Sequence, residues 1–311
     1  MLKKSFETPV ALFVFNRPEC TRRVFDVIAG IRPARLLLTA DGPRPGKPSE
    51  AEACRKVREI VGKVDWPCEV STNFAESNIG CQERMISGMN WVFSLVEEAI
   101  ILEDDCLPDP TFFLFCEELL ERYRGDARVA AICGSNLVEK YMKTEASYFF
   151  SQLGGTWGWA TWRSQWQQYD RYLTDWPRLK REGVLSELFD DSSAVAYWTR
   201  AFDDMHDNNG RNAWDYQWLY TNLKNNALRI VPRVNLITNI GFGPGATHTT
   251  GADSRFTPPA IAMEFPLKHP PSFIPLRSLD RHIETLCSAT LLQRIAGNLR
   301  SVAKKLKRVK G

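Results

Sequence analysis

Three consecutive acidic residues, Glu103, Asp104 and Asp105, directly follow the apolar run of residues 99–102. The run has the length and composition of a buried strand, and ligands of open α/β sheets bind beyond the carboxyl ends of such strands. Three adjacent carboxylates repel one another unless protons or a cation neutralise them. A divalent ion that also binds phosphate oxygens would explain the triplet. An acidic loop that caps the next helix is the alternative.

The segments around the triplet alternate between strand and helix patterns. Up to residue 135, strands are predicted at 9–15, 35–40, 69–73, 99–102 and 129–133, and helices at 19–31, 49–61, 81–96 and 111–123. This alternation predicts an α/β fold with a mostly parallel sheet flanked by helices. The later part of the chain is less regular, with helices expected at 194–206 and 214–225 and short strands at 229–231 and 236–239.

The composition is that of a globular protein with one large domain or two small ones. The chain has 311 residues, of which 44% are apolar and 25% are charged, and no apolar run reaches the ~18–20 residues that cross a bilayer. The first residues lack the apolar region of a signal peptide, so a cytoplasmic location is expected. None of the eight cysteines stands in a CxxC pair or a zinc-binding spacing, which predicts reduced thiols.

The acidic triplet and the residues after it resemble a known family. Residues 103–113 are similar to their counterpart in glycosyltransferases of the N-acetylglucosaminyltransferase I type, and most of the chain resembles nucleotide-sugar glycosyltransferases of the GT-A fold, including family 2-like bacterial enzymes. That fold is a Rossmann-like α/β architecture whose acidic metal motif is usually written DxD. The resemblance implies that Asp105 contacts a Mn²⁺ or Mg²⁺ ion, and that Glu103 and Asp104 adjoin the nucleotide cofactor.

Three residues that follow predicted strands are candidates for nucleotide contacts. Arg17 could face a phosphate or the base, and a solvated arginine in a surface turn is the alternative. In similar transferases an aspartate at the position of Asp41 accepts a hydrogen bond from N3 of uracil, although Asp-Gly is also an ordinary turn dipeptide. Asn78 resembles part of a turn that lets the backbone approach the nucleotide, and a plain helix start would look much the same.

An inverting transfer needs a carboxylate that takes the proton of the acceptor hydroxyl on the face opposite the leaving diphosphate. Asp215 matches the position of this base in similar enzymes, although the second acid often found there is absent; a charge that favours a helix N-terminus is the alternative. In GT-A enzymes a late histidine often completes the metal shell or touches the diphosphate, and the resemblance implies such a role for His248. The ion would then have a mixed oxygen and nitrogen set, which suits Mn²⁺. A loop histidine bonded to backbone is the other interpretation. Arg255 is expected to help bind the diphosphate.

A glycine- and tryptophan-rich segment, residues 153–162, is similar to the segment that shapes the sugar pocket of the family. The expected pocket residues are Gly155, Trp157 and Trp159, together with Trp214. Indoles can stack on the apolar faces of sugars, and glycines permit close approach of the backbone. Aromatic clusters usually belong to the core, so at least one of these indoles is expected to be buried.

The resemblance implies a GT-A domain over 8–270, with a nucleotide-binding half at about 8–135 and an acceptor half at about 136–257. Residues 271–311 form a C-terminal extension. From residue 291 it contains seven basic and no acidic residues, and its apolar residues recur at helical spacing. This pattern predicts an amphipathic basic helix suited to an anionic membrane surface. A helix packed on its own domain and a disordered tail are the alternatives; nucleic-acid binding is not expected.

Together with the resemblance, these features predict a metal-dependent glycosyltransferase that uses a UDP-sugar. A retaining transferase would use similar parts, so inversion is implied by the resemblance alone. The acceptor would be a glycan or a lipid-linked glycan in surface polysaccharide synthesis, placed at the cytoplasmic membrane face. A catalytically silent glycan-binding or scaffold protein on the same fold is one alternative. A sugar nucleotidyltransferase is another, but such enzymes usually carry a glycine-rich loop after the first strand, where this chain has Asn16, Arg17 and Pro18.

Overall fold

The computed structural model describes residues 6–208, 213–242 and 258–286. Its first part alternates strand and helix as the sequence predicts. The elements are β1 Val10–Val14, α1 Pro18–Ile31, β2 Arg35–Ala40, α2 Pro48–Val61, β3 Glu69–Phe74, α3 Cys81–Leu95, β4 Glu98–Glu103, β5 Cys106–Pro108, α4 Thr111–Arg122 and β6 Val129–Cys133. The short strand β5 was not predicted, because Pro108, at its end, and Pro110, just after it, indicated a loop.

The later part of the chain contributes four more strands and a group of helices. They are a 3₁₀ turn at Glu139–Tyr141, β7 Tyr148–Ser151, β8 Trp159–Trp162, α5 Arg163–Trp166, α6 Trp176–Arg181, α7 Val184–Leu188, α8 Ser192–Asp207, α9 Asp215–Lys224, β9 Leu228–Pro232 and β10 Ile237–Asn239. Residues 277–286 are also helical. The two long helices and the last two strands were predicted, whereas β7 and β8 were not.

The described strands form an eight-stranded sheet in the order β3-β2-β1-β4-β8-β6-β9-β7 and a two-stranded ribbon of β5 and β10. Six strands of the sheet run in one direction, while β8 and β7 run against their neighbours. The predicted α/β class with a mostly parallel, helix-flanked sheet is therefore confirmed. No helix among the described residues is both long and apolar enough to cross a membrane.

Apolar side chains cover both faces of the sheet, as expected for parallel strands with helices on either side. One core layer joins β1, β2 and β4 to α1, α2 and α4. The layer on the other face joins the alternate residues of the same strands to α3, α5 and α9. In register, β1 lies between β2 and β4, so the carboxyl ends of these three strands meet at one edge. The polar residues that follow them must therefore lie close together.

The start of the predicted C-terminal extension is part of the folded domain. The Asp280 carboxylate is fully buried, and it accepts hydrogen bonds from the Ser151 hydroxyl and the Gln152 amide at the edge strand β7. Leu279 and Glu284 are also buried. The predicted basic amphipathic helix, by contrast, lies outside the described residues.

Gly158 allows β8 to lie against the ribbon, so its replacement should weaken the fold. Its φ is +59°, and an added Cβ would come within 2.5 Å of Ile237. Gly158→Ala should lower the free energy of unfolding by about 2–3 kcal/mol, because the left-handed backbone and the clash both disfavour alanine. Urea denaturation measures the change.

Gly125→Ala is the matched control. Gly125 also has a positive φ, +81°, but open space where the Cβ would lie, so the loss there should be about 1 kcal/mol. Equal losses for the two variants would show that the Ile237 contact contributes nothing.

Candidate functional site

The acidic triplet ends β4 and lies at the edge where β1, β2 and β4 terminate. Asp104 is buried, and its Oδ2 accepts a hydrogen bond of 3.0 Å from the Phe15 amide. Burial, followed by the charge of Asp105, raises the pKa of Asp104 to about 7, although Arg17 and the Phe15 amide act in the opposite direction. Burial likewise raises the pKa of Glu103 well above its usual value, and neighbouring carboxylates add to this effect. Several carboxylates are therefore crowded at this edge, and a nearby cation would stabilise their charged forms.

Among the described residues, the cation in contact with the triplet is Arg17. Its Nη1 lies 2.5 Å from Asp105 Oδ2 and 3.9 Å from Asp104 Oδ1. Arg17 caps the start of α1, where its carbonyl accepts a bond from the Thr21 amide. From this position at the helix start, the Arg17 guanidinium contacts Asp104 and Asp105. Whether Arg17 also meets a phosphate or a base, as the sequence suggested, stays a prediction.

The loop after β10 covers this ion pair. The Ile240 amide donates a 2.8 Å hydrogen bond to the Asp105 carbonyl. A Cβ at Gly241 would clash with the Asp105 carboxylate and come within 2.8 Å of Arg17 Nη1, so any other residue there would have to displace the ion pair. Sequence reasoning assigned no role to Gly241, although the glycine-rich run that it begins was the available signal. The antiparallel pairing of β5 with β10 brings the loop to this position.

The predicted metal site is only partly described. Within the described part of the chain, no three His, Cys, Asp or Glu side chains are grouped so that they could hold a metal ion. The Asp105 carboxylate is hydrogen-bonded to Arg17, and His248 and Arg255 lie outside the described residues. The described residues alone therefore do not fit a resident divalent ion, and further ligands would have to come from elsewhere.

Asp41 and Asn78 are brought together, as the nucleotide-site prediction requires. Asp41 Oδ1 accepts bonds from the Gly42 and Ile79 amides, at 2.8 and 3.0 Å. Its Oδ2 accepts bonds from Asn78 Nδ2 and the Gly80 amide, at 2.8 and 3.2 Å. A carboxylate has about four acceptor positions, and all are occupied. In this conformation Asp41 shapes the turn of residues 78–80, and a bond to uracil would have to replace one of these partners.

Asp215 lies at the first position of α9, where its side chain is exposed. It is close enough to the triplet to contribute to the raised pKa of Glu103. Cys81, at the start of α3, lies between these groups: burial, then the charges of Glu103 and Asp215, raise the pKa of its thiol to about 12. The structure thus brings the predicted base and the predicted metal motif to one site. Cys81 was not anticipated, and nothing in its spacing indicated it.

The four expected pocket residues have different environments. Trp159 in β8 and Trp214 at the start of α9 are buried and stacked, with ring centroids 5.7 Å apart. The expectation that one indole is core is confirmed, since both rings belong to the core layer on this face of the sheet. Trp157 is half-buried and meets the ring of Phe242, in the loop that covers Asp105. Gly155 is exposed, so Gly155 and Trp157 remain candidates for ligand contact.

Beside Arg17, a buried acid ties three segments of the site together. Glu50 of α2 accepts hydrogen bonds from the Arg44 side chain and amide, which follow β2, and from Asn16 Nδ2, which follows β1. The hydrogen bonds from Arg44 lower the pKa of Glu50 to about 2, against the opposing effect of burial. The Arg44 guanidinium also lies 5.8 Å from the centre of the Phe15 ring.

Comparison with known proteins adds no relative. No protein-family model matches the chain, and no curated protein matches it.

Glu50 should stabilise the fold in a pH-dependent way. Because its pKa is lower in the fold than in the unfolded chain, its pairing stabilises fully above about pH 4.5, and the contribution is lost as the pH falls towards 2. Glu50→Gln should therefore lower the free energy of unfolding by about 1–2 kcal/mol at pH 7, and by less at pH 3.5. Denaturant titrations at both pH values measure the difference.

Glu59→Gln on the same helix is the control, since Glu59 pairs with Arg55 on the exposed surface. Such pairs contribute about 0–1 kcal/mol. If the loss of unfolding free energy in Glu50→Gln did not change with pH, the stabilisation by Glu50 would come from packing and not from its charge.

Proposed function

We propose that this protein is a glycosyltransferase that transfers a sugar from a UDP-sugar to a hydroxyl of a glycan or lipid-linked acceptor. The observation that carries the proposal is the Arg17–Asp105 pair at the carboxyl edge of parallel strands, with Asp215 near enough for its charge to raise the pKa of Glu103. Nucleotide ligands bind at such an edge in open α/β sheets. The resemblance of the triplet to the DxD motif supports the same conclusion.

Arg17 would bind the diphosphate of the donor. Its planar guanidinium matches phosphate oxygens, and it already lies at the start of a helix, where anions are favoured. A bound diphosphate would compete with Asp105 for the guanidinium and leave the carboxylate free. Asp105, His248 and phosphate oxygens would then be the ligands of a Mn²⁺ or Mg²⁺ ion. Such an ion, when bound, would offset the charge of the leaving diphosphate.

Asp215 would remove the proton from the acceptor hydroxyl as that oxygen attacks the anomeric carbon. Its exposed position at the start of α9 leaves it open to an acceptor. Tyr169 donates a 3.1 Å hydrogen bond to the Trp214 carbonyl and so fixes this helix start. The base would act on the face opposite the diphosphate, which corresponds to inversion at the anomeric carbon. Assembly of a surface polysaccharide at the cytoplasmic membrane face is the proposed setting.

A second candidate, a catalytically silent binding or scaffold protein, is favoured by one observation. The two acids expected to contact the nucleotide and the metal, Asp41 and Asp105, are both hydrogen-bonded to the chain itself. In a silent protein these bonds would persist with ligand present. Release of UDP from a panel of UDP-sugars, with and without Mn²⁺, distinguishes the two, because a silent protein releases none.

Replacing the proposed base should remove transfer and preserve donor binding. Asp215→Asn should lower transfer by about 10²-fold or more, because the amide cannot accept the proton. UDP affinity, measured by titration calorimetry, should stay within about twofold, since Asp215 does not contact the donor in this proposal. Asp207→Asn, at the exposed end of α8, is the control and should transfer normally. Near-normal transfer by Asp215→Asn would assign the base to another acid.

Replacing Arg17 should have opposite effects on the affinities for metal and for nucleotide. Arg17→Met should bind Mn²⁺ alone about tenfold more tightly, because the competing cation is gone, yet bind UDP about tenfold more weakly. In Asp105→Asn, UDP affinity should no longer depend on Mn²⁺, and the fold should be unchanged. Mn²⁺ binding can be followed by water-proton relaxation and UDP binding by calorimetry.

The control is Arg23→Met, which removes a basic residue from the exposed surface of the same helix. It should leave both affinities unchanged. Unchanged Mn²⁺ affinity in Arg17→Met, or Mn²⁺-dependent UDP binding in Asp105→Asn, would show that the triplet is not the metal site.

A further inference from the structure

Arg229 is a fully buried arginine that has no acidic partner in contact within the described part of the chain. It belongs to the interior strand β9 and is 2% exposed. Its Nη1 donates to the Gly154 carbonyl, whereas its Nε and Nη2 have no hydrogen-bond partner among the described residues. The guanidinium is thus held by one neutral carbonyl. A buried cation in this state is costly, and buried arginines are normally paired with carboxylates or phosphates.

Arg229 lies on the face of the sheet against which α9 packs. In register, Arg229 lies opposite Ala131 of β6, and Cys133 of the same strand lies opposite Trp159 of β8, so these side chains share one face. That face is the one covered by α9. Burial lowers the pKa of Arg229, while the charges of Cys133 and Asp215 act in the opposite direction. Asp215, the proposed base, is therefore the carboxylate that influences Arg229.

The same layer contains two further hydrogen-bond donors without partners. The indole nitrogens of Trp159 and Trp218 are buried and unbonded, and the two rings lie 5.6 Å apart. Buried donors of this kind normally meet an acceptor, from the protein, water or a ligand. The region beneath α9 is thus richer in unused donors than an ordinary apolar core.

The cover over Arg229 is the segment of Gly154 and Gly155. Gly155 is exposed, and Gly154 lies directly on the arginine. An added Cβ at Gly154 would come within 2.7 Å of the Cys133 sulfur and 3.1 Å of Arg229 Cδ. The Gly154 backbone, which carries no side chain, therefore packs directly against the Arg229 side chain. A ligand would reach the guanidinium only if this segment moved.

We propose that Arg229 binds a carboxylate carried by a sugar substrate, so that one of the two sugars of the reaction is a uronate. The Nε–Nη2 edge presents two parallel N–H donors that match the two oxygens of a carboxylate. A carboxylate carries one charge and is less costly to desolvate than a phosphate dianion, which suits a covered position. The proposal rests on the proposed function. Either the donor sugar or the acceptor sugar would carry the carboxylate, and the test distinguishes the two.

The test compares charged and neutral sugars on the whole chain by titration calorimetry. For the donor, the probes are UDP-glucuronate and UDP-glucose. For the acceptor, they are glucuronate and glucose, each with and without UDP. Wild type should prefer the charged sugar of one pair by about tenfold or more, since charge-assisted bidentate bonds are the strong ones. Arg229→Gln should abolish that preference, and Arg233→Gln, just after the same strand and exposed, should keep it.

Each outcome of these titrations either supports or overturns the proposal. A preference in the donor pair or in the acceptor pair supports it and identifies the source. Equal binding of both pairs by wild type overturns it, whatever the variant does, and so does a preference that persists in Arg229→Gln. Failure of UDP itself to bind would count against the proposed function, while the free sugars without UDP would still test Arg229. Circular dichroism and thermal melting check that the variant folds.

Discussion

Electrostatic repulsion at one end of the sheet is the constraint on which the site depends. The chain places Glu103, Asp104 and Asp105 together and brings Asp215 near them. Burial prevents water from dissipating this charge. The structure reduces the repulsion with one guanidinium, from Arg17, and with the Phe15 amide. Any cationic ligand of the site must therefore compete with, or replace, a contact that the chain already makes.

The sheet determines which groups share this edge. Parallel pairing of β1 with β2 and β4 aligns the ends that carry Arg17, Asp41 and the triplet. The antiparallel strand β8, inserted beside β4, provides the surface on which α9 packs through Trp159 and Trp214. Asp215 reaches the site because Trp214 is anchored there. Packing on one face of the sheet thus sets the position of the proposed base.

The first half of the fold could be predicted from the sequence because all its main strands except β3 are continuous apolar runs and its helices have regular apolar faces. The same signal failed for β8, whose register depends on partners distant in sequence and which directly follows Gly158. The meeting of Asp41 with Asn78 was foreseeable from strand ends. The four bonds that occupy Asp41 were not, since three of them come from backbone amides. Arg229 gave no sequence signal, because a lone arginine in a strand usually faces solvent.

The ribbon of β5 and β10 links two distant parts of the chain mechanically. Asp105 precedes β5 and Ile240 follows β10, and their backbones are joined by a hydrogen bond at the end of the ribbon. Because paired strands resist sliding past each other, a displacement of one chain is transmitted to the other with little loss. We therefore expect the Asp105 carboxylate and the loop at Gly241 to move together. The close packing of Ile237 against Gly134 and Gly158 would be the point about which they turn.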